Sequence, residues 1–125
     1  LVGSEMCIRD SPNFTLSDLI SDNTATGLVV VGDPVDGLDY DAFANVHLNL
    51  YKDDKCIATG ESSEVLGNPL NAIHWLIKKL HTHGKQLKKG DIISSGTFIS
   101  PLKLEYGTYR AEYSGIGKVS FSVNK

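Results

Sequence analysis

The sequence contains few cysteines, which excludes a fold held together by disulfides. Only Cys7 and Cys56 occur among the 125 residues. Small secreted domains that depend on disulfides need several cysteine pairs. Cys56 falls in a predicted strand without a neighbouring histidine, so a structural thiol in a reducing cytoplasm is the simplest interpretation. We therefore expect a cytoplasmic protein stabilised by an apolar core.

Long apolar runs and an excess of basic charge are also missing. No apolar run approaches the length needed to span a bilayer, so no membrane partner is expected. The 12 basic and 15 acidic residues give a net charge of -3, which offers no electrostatic reason to bind nucleic acid. The hydrophobic share of 41% is ordinary for a globular protein. The length fits one domain, or one incomplete domain.

The beginning of the chain differs in character from the rest. Residues 1–10 read Leu-Val-Gly-Ser-Glu-Met-Cys-Ile-Arg-Asp and resemble a translated sequencing adapter. A natural N-terminus of low order is the alternative. A signal peptide is not indicated, because there is neither a long apolar segment nor a small-residue cleavage site. We expect residues 1–11 to be an adapter-derived tail with few contacts, since such a sequence was not selected to bury anything.

Alternating and continuous apolar segments predict a fold that is mainly β. Residues 27–31 form a continuous apolar run that predicts a buried strand, and the Asp-rich residues 33–41 predict a loop. Residues 46–50 alternate between apolar and polar side chains, which is typical of a half-buried strand. Asp53 and Asp54 then predict a hairpin turn into a partner strand over residues 55–59. Further strands are expected over residues 92–99 and 109–123.

One principal helix is predicted from about residue 69 to about residue 83. Asn68 can cap its first turn, Pro69 suits the first helical position, and Gly84 ends it. An apolar stripe recurs at helical spacing along it, formed by Leu70, Ile73, Leu76, Ile77 and Leu80. Trp75 points away from this stripe and is available for a second surface, such as the rest of a longer protein or another subunit. The predicted fold class is therefore α+β, mainly β: a mixed twisted sheet or β-roll with one principal helix.

Residue patterns alone identify no active site. His81 and His83 lie two residues apart on the predicted helix and therefore face opposite ways, so a shared metal is not favoured. The Asp-rich residues 33–41 lack the ligand spacing and terminal glutamate of a calcium loop. Gly115 and Gly117 lack the upstream glycine of a phosphate loop. Four serines have no recognisable His-Asp pair nearby, namely Ser62, Ser63, Ser94 and Ser95.

A family resemblance rests instead on several motifs in a fixed order. They are Asp22-Asn23 before Gly27, Gly60 to Ala72, Trp75-Leu76 with Lys79, Gly90-Asp91-Ile92-Ile93 followed by Ser95-Gly96, and Gly115-Ile116-Gly117 with Val119. In these motifs the chain resembles the C-terminal part of the 2-keto-4-pentenoate hydratase and 4-oxalocrotonate decarboxylase family. That family is a branch of the fumarylacetoacetate hydrolase superfamily. Residues 12–125 are then expected to form the C-terminal part of one incomplete hydratase or decarboxylase domain.

The resemblance implies a metal-dependent chemistry on short 2-oxo or enol acids. Family members bind Mg²⁺ or Mn²⁺ through three glutamates upstream of the Asp-Asn motif, and the ion polarises the 2-oxo group of the substrate. By motif, Glu61, Glu64, Glu105 and Glu112 are not their counterparts, because all four lie downstream, and Glu5 belongs to the adapter-like residues. We therefore expect the ion in a complete parent protein and none bound by this chain alone.

The resemblance also places Asn23, Ser95 and Thr97 near the substrate, although Asn23 has an equally good interpretation as a backbone partner and Ser95 and Thr97 as ordinary strand residues. Relatives often carry serine where this chain has Ala25. The function expected is that of a C-terminal fragment of a 2-oxo acid lyase in aromatic meta-cleavage catabolism, most simply 2-keto-4-pentenoate hydratase.

Three alternatives stay open: 4-oxalocrotonate decarboxylase, acylpyruvate hydrolase and a non-catalytic partner subunit. The expected partner is a small 2-oxo or enol acid, and the parent protein is expected to be a homo-oligomer or to form a complex with a pathway enzyme.

Overall fold

The computed structural model describes residues 2–4 and 26–125. The chain divides into two compact units, residues 1–31 and residues 32–125, and each is described by itself. No helix in the described ranges is both long and apolar enough to cross a membrane.

The first unit contains a pair of antiparallel strands. Strand β1 (Val2–Ser4) pairs with β2 (Thr26–Val29), with a register irregularity between Gly3 and Ser4. The predicted strand at residues 27–31 is therefore present over most of its length. Its predicted burial is wrong, because Leu28 is 73% exposed and Val31 is 65% exposed. The described residues of this unit form only a two-stranded ribbon, which has no second layer to cover an apolar side chain.

The pairing of β1 bears on the predicted N-terminal tail. Val2–Ser4 lies within the segment expected to make few contacts, yet it pairs with β2 as an antiparallel strand. The remainder of the predicted tail, including Met6 and Ile8, lies outside the described residues. Its proposed origin and the predicted boundary at residue 11 stay predictions.

The second unit is built on a four-stranded sheet in the order β4-β3-β5-β6. The strands are β3 (His47–Lys52), β4 (Lys55–Glu61), β5 (Gly107–Tyr113) and β6 (Gly117–Val123). The α+β, mainly β fold class is confirmed. The sheet is antiparallel in all three pairs, rather than mixed as expected. Tight turns join β3 to β4 and β5 to β6, and a tight turn can connect only antiparallel neighbours.

The turn between β3 and β4 confirms the predicted hairpin. Asp53 and Asp54 have φ angles of +47° and +65°, the left-handed conformation that a two-residue turn of this kind requires. Asp53 also ties the turn to β5, because its backbone N–H donates to the carbonyl oxygen of Thr108 at 2.9 Å. The hairpin and the neighbouring strand are thereby locked in register at this end of the sheet.

One face of the sheet carries the core. Val46, Leu48 and Leu50 are at most 3% exposed, as the alternation over residues 46–50 predicts. Across from them, Tyr109 and Ala111 of β5 are each 2% exposed. Each large apolar side chain buried in this way contributes about 1.5–3 kcal/mol to folding.

Two helices precede and follow the β3–β4 hairpin. Helix α1 (Tyr40–Ala44) replaces the end of the predicted Asp-rich loop, because the Asp39 carboxylate accepts from the Ala42 N–H at 2.8 Å and so caps a first turn. Helix α2 (Pro69–Thr82) confirms the predicted helix. Asn68 accepts from the Leu70 N–H at 2.9 Å, and Gly84 follows the last turn with a φ of +65°.

The predicted strand at residues 92–99 is wrong. This segment has no regular secondary structure. Gly96 has a φ of +135°, which lies outside the extended conformation of a strand. The Thr97 side chain bonds to the backbone of Ile99 and thereby forms a local turn instead of a ladder. The segment is therefore a loop, although its β-branched composition favours a strand.

Candidate functional site

The loop of residues 94–99 lies against the sheet at two glycines. A Cβ atom on Gly60 would lie 2.1 Å from the carbonyl oxygen of Phe98. A Cβ atom on Gly96 would lie 2.9 Å from Cγ1 of Val65. Both positions therefore need glycine, because any side chain would push the loop away. Two segments that carry the family resemblance, around Gly60 and around Ser95-Gly96, thus meet in space although they are far apart in sequence.

The loop covers the apolar face of the sheet. Gly60 is paired with Leu48 in the ladder, so both point to the same face. The Phe98 ring meets Tyr113 edge to face, with ring centroids 5.8 Å apart and an interplanar angle of 79°. Burial raises the pKa of the Tyr113 phenol. The loop is therefore part of the core packing, which gives its polar side chains a defined position.

Ser95 and Thr97 are two residues apart on this loop. Thr97 is exposed, and its hydroxyl donates to the Ile99 carbonyl at 2.7 Å and accepts from the Ile99 N–H at 3.3 Å. Ser95 is half-buried beside Gly96. The hydroxyl proton of Thr97 is thus committed to its own loop, so this side chain is left to act towards a ligand mainly as an acceptor. Asn23 lies outside the described residues, and a role in substrate binding stays a prediction for all three side chains.

The chain that leads from this loop to β5 is fixed to the sheet at Glu105. The Lys52 ammonium bonds to the Glu105 carboxylate at 2.5 Å. The Tyr109 hydroxyl accepts from the Glu105 N–H at 2.9 Å and donates to its carbonyl oxygen at 3.2 Å. The hydrogen bond between the two charged groups lowers the pKa of Glu105 and raises the pKa of Lys52. The loop and the segment that follows it are therefore held against the apolar face at two points, Gly60 and Glu105.

Comparison with known proteins agrees with the motifs that meet at Gly60. The chain is 34% identical over 110 residues to the 2-keto-4-pentenoate hydratase of Paraburkholderia phymatum, a match that covers 86% of this chain and 42% of that protein. It is 34% identical over 107 residues to the 2-oxo-hept-4-ene-1,7-dioate hydratase of Escherichia coli, with 82% and 39% covered. It is 31% identical over 110 residues to 2-keto-4-pentenoate hydratase 1 of Dechloromonas aromatica, with 86% and 41% covered.

The chain is similar to these hydratases over more than four fifths of its own length. It spans about two fifths of the length of these relatives. No family model matches it. The resemblance stated from the motifs is thus confirmed at the level of the family.

The described residues do not fit the metal site that the family resemblance implies. In the described ranges, no three His, Cys, Asp or Glu side chains converge as ligands for a metal ion. Glu105 pairs with Lys52, and Glu61 lies 3.2 Å from Nδ1 of His47. Glu112 pairs with Arg110. A hard divalent cation needs several oxygen ligands around one point, and these carboxylates are instead dispersed among separate ion pairs.

The opposite, polar face of the sheet holds a cluster that the sequence did not reveal. The guanidinium carbon of Arg110 lies 4.4 Å from the centroid of the Tyr51 ring, and Arg110 also pairs with Glu112 and, at 3.6 Å, with Asp54. Tyr51, Asp54 and Arg110 border an open depression of about 440 Å³. Two carboxylates and an aromatic ring already engage the guanidinium, so it is poorly placed to bind an anionic substrate. The cluster forms because Tyr51 of β3 lies directly opposite Arg110 of β5. The register of two distant strands is not evident from the sequence, so the cluster could not be predicted.

Proposed function

We propose that this chain supplies the C-terminal part of a lyase that adds water to an unsaturated 2-oxo acid, most simply 2-keto-4-pentenoate. The observation that carries the proposal is the close approach of Gly60 to the Ser95–Ile99 loop, which unites the separated motifs of the family. The relatives' names support the substrate class, since 2-keto-4-pentenoate and 2-oxo-hept-4-ene-1,7-dioate both combine a 2-oxo group with a double bond at carbon 4.

In this proposal the loop provides hydroxyl groups to the substrate. Ser95 has a hydroxyl that can donate to a carboxylate or an oxo group, whereas the Thr97 hydroxyl is oriented as an acceptor by its bond to Ile99. Asn23 is the proposed third contact. We place the Mg²⁺ or Mn²⁺ that the family resemblance implies in the complete protein, outside the described residues. A cytoplasmic location and a homo-oligomeric or complexed parent stay predictions.

A chimera tests the activity directly. The 110 matching residues of the Paraburkholderia phymatum hydratase are replaced by those of this chain, and loss of the ultraviolet absorbance of 2-hydroxypenta-2,4-dienoate is followed. We expect hydration by the chimera. Replacing Ser95 by alanine removes a hydrogen bond to a charged substrate, so kcat/KM should fall by about tenfold to a hundredfold. The matched control is Ser94→Ala, an exposed neighbour on the same loop, which should leave kcat/KM unchanged.

The alternatives give different results in the same experiment. A folded chimera that releases CO2 from 4-oxalocrotonate without hydrating the dienoate would favour the decarboxylase. A folded chimera that hydrolyses an acylpyruvate would favour the hydrolase. A folded chimera without turnover of any of these substrates would favour the non-catalytic partner subunit and contradict the proposed activity.

The chain by itself is predicted to bind Mg²⁺ weakly and to turn over no 2-oxo acid. Its described carboxylates do not converge on one point, so the ion lacks a set of oxygen ligands. Isothermal titration with Mg²⁺ or Mn²⁺, together with the dienoate assay, measures both quantities. Tight binding accompanied by turnover would show that the ligands lie within this chain, and the Asp-rich residues 33–41 would then be the first to test by substitution.

A further inference from the structure

Two segments of opposite charge lie towards the two ends of helix α2. The acidic segment, residues 33–41, has four aspartates and no lysine or arginine. The basic segment, residues 78–89, has five lysines and no aspartate or glutamate. All nine charged residues are exposed: Asp33, Asp36, Asp39, Asp41, Lys78, Lys79, Lys85, Lys88 and Lys89. The net charge of -3 for the whole chain conceals this separation.

Hydrogen bonds at Tyr40 fix the C-terminal end of the acidic segment, which carries Asp39 and Asp41, to the start of α2. The Tyr40 hydroxyl donates to Oδ1 of Asn71 at 2.9 Å. The Asn68 side chain donates to the Tyr40 carbonyl oxygen at 2.7 Å. The basic segment begins in the last turns of the helix, whose 14 residues span about 21 Å. Negative charge therefore lies at one end of α2 and positive charge at the other.

Two exposed aromatic side chains lie near this surface, Trp75 between the charged segments and Tyr40 within the acidic one. Trp75 is 62% exposed and Tyr40 is 54% exposed. Asn71, Trp75 and Lys78 follow one another at helical spacing and therefore share one face of α2. We call this the outer face. It lies opposite the half-buried side of the helix, which is formed by Ile73, Leu76 and Leu80. Trp75 falls at the middle of the helix.

We propose that the outer face of α2 is a self-complementary surface on which two copies of this chain pair antiparallel about a two-fold axis. In that arrangement the acidic segment of each copy faces the basic segment of the other, so every favourable contact occurs twice. Trp75 then lies beside the axis, where a large aromatic side chain contributes most to binding. The opposite charges at the two ends favour a second copy of the chain as the partner, since an apolar partner would leave both segments unpaired.

Apart from Asp39, whose carboxylate caps α1, the charged groups of the two segments are available for such pairing. In the part of the chain that the structure describes, the ion pairs involve other side chains, at His47, Lys52 and Arg110 with their acidic partners. The five lysines of the basic segment form none of these pairs. Their attraction to a second copy should consequently depend strongly on ionic strength.

Sedimentation equilibrium of the full 125-residue chain tests the proposal. We expect a monomer–dimer equilibrium that shifts to monomer as ionic strength rises from about 0.01 M to about 1 M, over which the Debye length falls from about 30 Å to about 3 Å. Trp75 is the only tryptophan, so its fluorescence reports the contact directly. Its emission should shift to shorter wavelength as the dimer forms and return in high salt.

Charge-swapped variants make the test specific to these segments. The variant K78E/K79E lowers the charge of the basic segment from +5 to +1, and D36K/D41K raises that of the acidic segment from -4 to 0. Each alone should self-associate about tenfold or more weakly than the unmodified chain. An equimolar mixture of the two should restore dimers in part, because one of the two contacts then joins an unmodified acidic segment to an unmodified basic segment. Replacing Trp75 by alanine should weaken the dimer about thirtyfold.

The matched control is K55E/K118E, which changes the same number of exposed lysines outside both segments. It should dimerise like the unmodified chain. A chain that stays monomeric at low salt would overturn the proposal and leave this face to another occupant. A dimer that is insensitive to salt, to K78E/K79E and to Trp75→Ala would overturn it as well, since the contact would then lie elsewhere.

Discussion

Replacing Gly60 by alanine should detach the Ser95–Ile99 loop from the sheet. The added Cβ would lie 2.1 Å from the Phe98 carbonyl oxygen and 2.8 Å from Cγ2 of Ile99. Non-bonded atoms rarely approach a Cβ within 3.0 Å. The first of these neighbours is backbone and cannot rotate away. The loop must therefore withdraw by about 1 Å, or the strand must bend by a similar amount.

The expected loss of stability follows from three contributions. Overpacking of this kind costs about 1–3 kcal/mol. Separation of Phe98 from the Tyr113 ring costs up to about 1.5 kcal/mol more. Alanine restricts the unfolded chain, which offsets the loss by about 0.4–1 kcal/mol. Steric strain therefore outweighs the entropic gain, and the free energy of unfolding should fall by about 1–3 kcal/mol.

Urea unfolding followed by circular dichroism measures this loss, and the phenolate absorbance of Tyr113 measures the movement of the loop. Burial raises the pKa of Tyr113, so exposure in the Gly60→Ala variant should bring that pKa back towards its ordinary value. The control is Gly37→Ala, where a Cβ meets open space at a φ of +81°. It should lose about 1 kcal/mol from backbone strain and leave the pKa of Tyr113 unchanged. A Gly60→Ala variant as stable as the original chain would refute the close approach of loop and sheet.

Three further outcomes are expected. Replacing Asn68 by alanine should lower the free energy of unfolding by about 1–2 kcal/mol in thermal or urea melts, because α2 loses its cap and its bond to Tyr40; an unchanged melting temperature would contradict this. Asp54→Gly should stabilise the chain by about 1 kcal/mol, since the φ of +65° suits glycine and the pairing of the exposed Asp54 with Arg110 offsets little; a loss of stability would show that the pairing matters more than the turn. The folded-state pKa of Tyr113 is raised, so its contribution to stability is complete below about pH 10 and is lost as the pH rises through the raised value. Tyr113→Phe should therefore reduce the alkaline loss of stability in urea melts, and an identical pH dependence would count against the burial of this phenol.

The elements that the sequence predicted correctly depend on neighbouring residues. Asn68 and Pro69 mark the start of α2, Gly84 follows its end, and the apolar stripe lies between them. Each of these signals involves only residues that are close together in the sequence. The hairpin at Asp53 and Asp54 is equally local. Such signals need no knowledge of the remaining fold, so the helix, the hairpin and the alternating strand β3 are found where they were expected.

The elements that the sequence missed depend on distant residues. Helix α1 has only five residues, too few for an apolar stripe, and Tyr40 is fixed by Asn71 of another helix. Its one local signal is Asp39, because an aspartate can cap a helix by accepting from the N–H three residues later, here that of Ala42. Residues 92–99 have the composition of a strand, but they cross the apolar face at Gly60 instead of pairing along an edge. Composition cannot distinguish these two arrangements.

The candidate site shows the same division. The family resemblance indicates both Ser95 and Thr97, and these two neighbours in sequence lie on one loop. Their approach to Gly60 required the fold, since about 35 residues separate the two segments and only tertiary packing unites them. Asn23 lies outside the described residues, so its place beside the loop stays a prediction.

The position of β3 inside the sheet has a consequence for the rate of folding. On one side β3 pairs with β4 across a two-residue turn, a contact that can form within microseconds. On the other side it pairs with β5, whose partner residues lie about 60 positions further along the chain, a separation that slows folding. During synthesis, the β3–β4 hairpin therefore has one unpaired edge until residues 107–113 have been made. The slowest step should be closure of the β3–β5 ladder. A permuted chain that joins β6 to β3, two parallel strands on either side of β5, by a crossover linker of about a dozen residues should refold faster than the natural order.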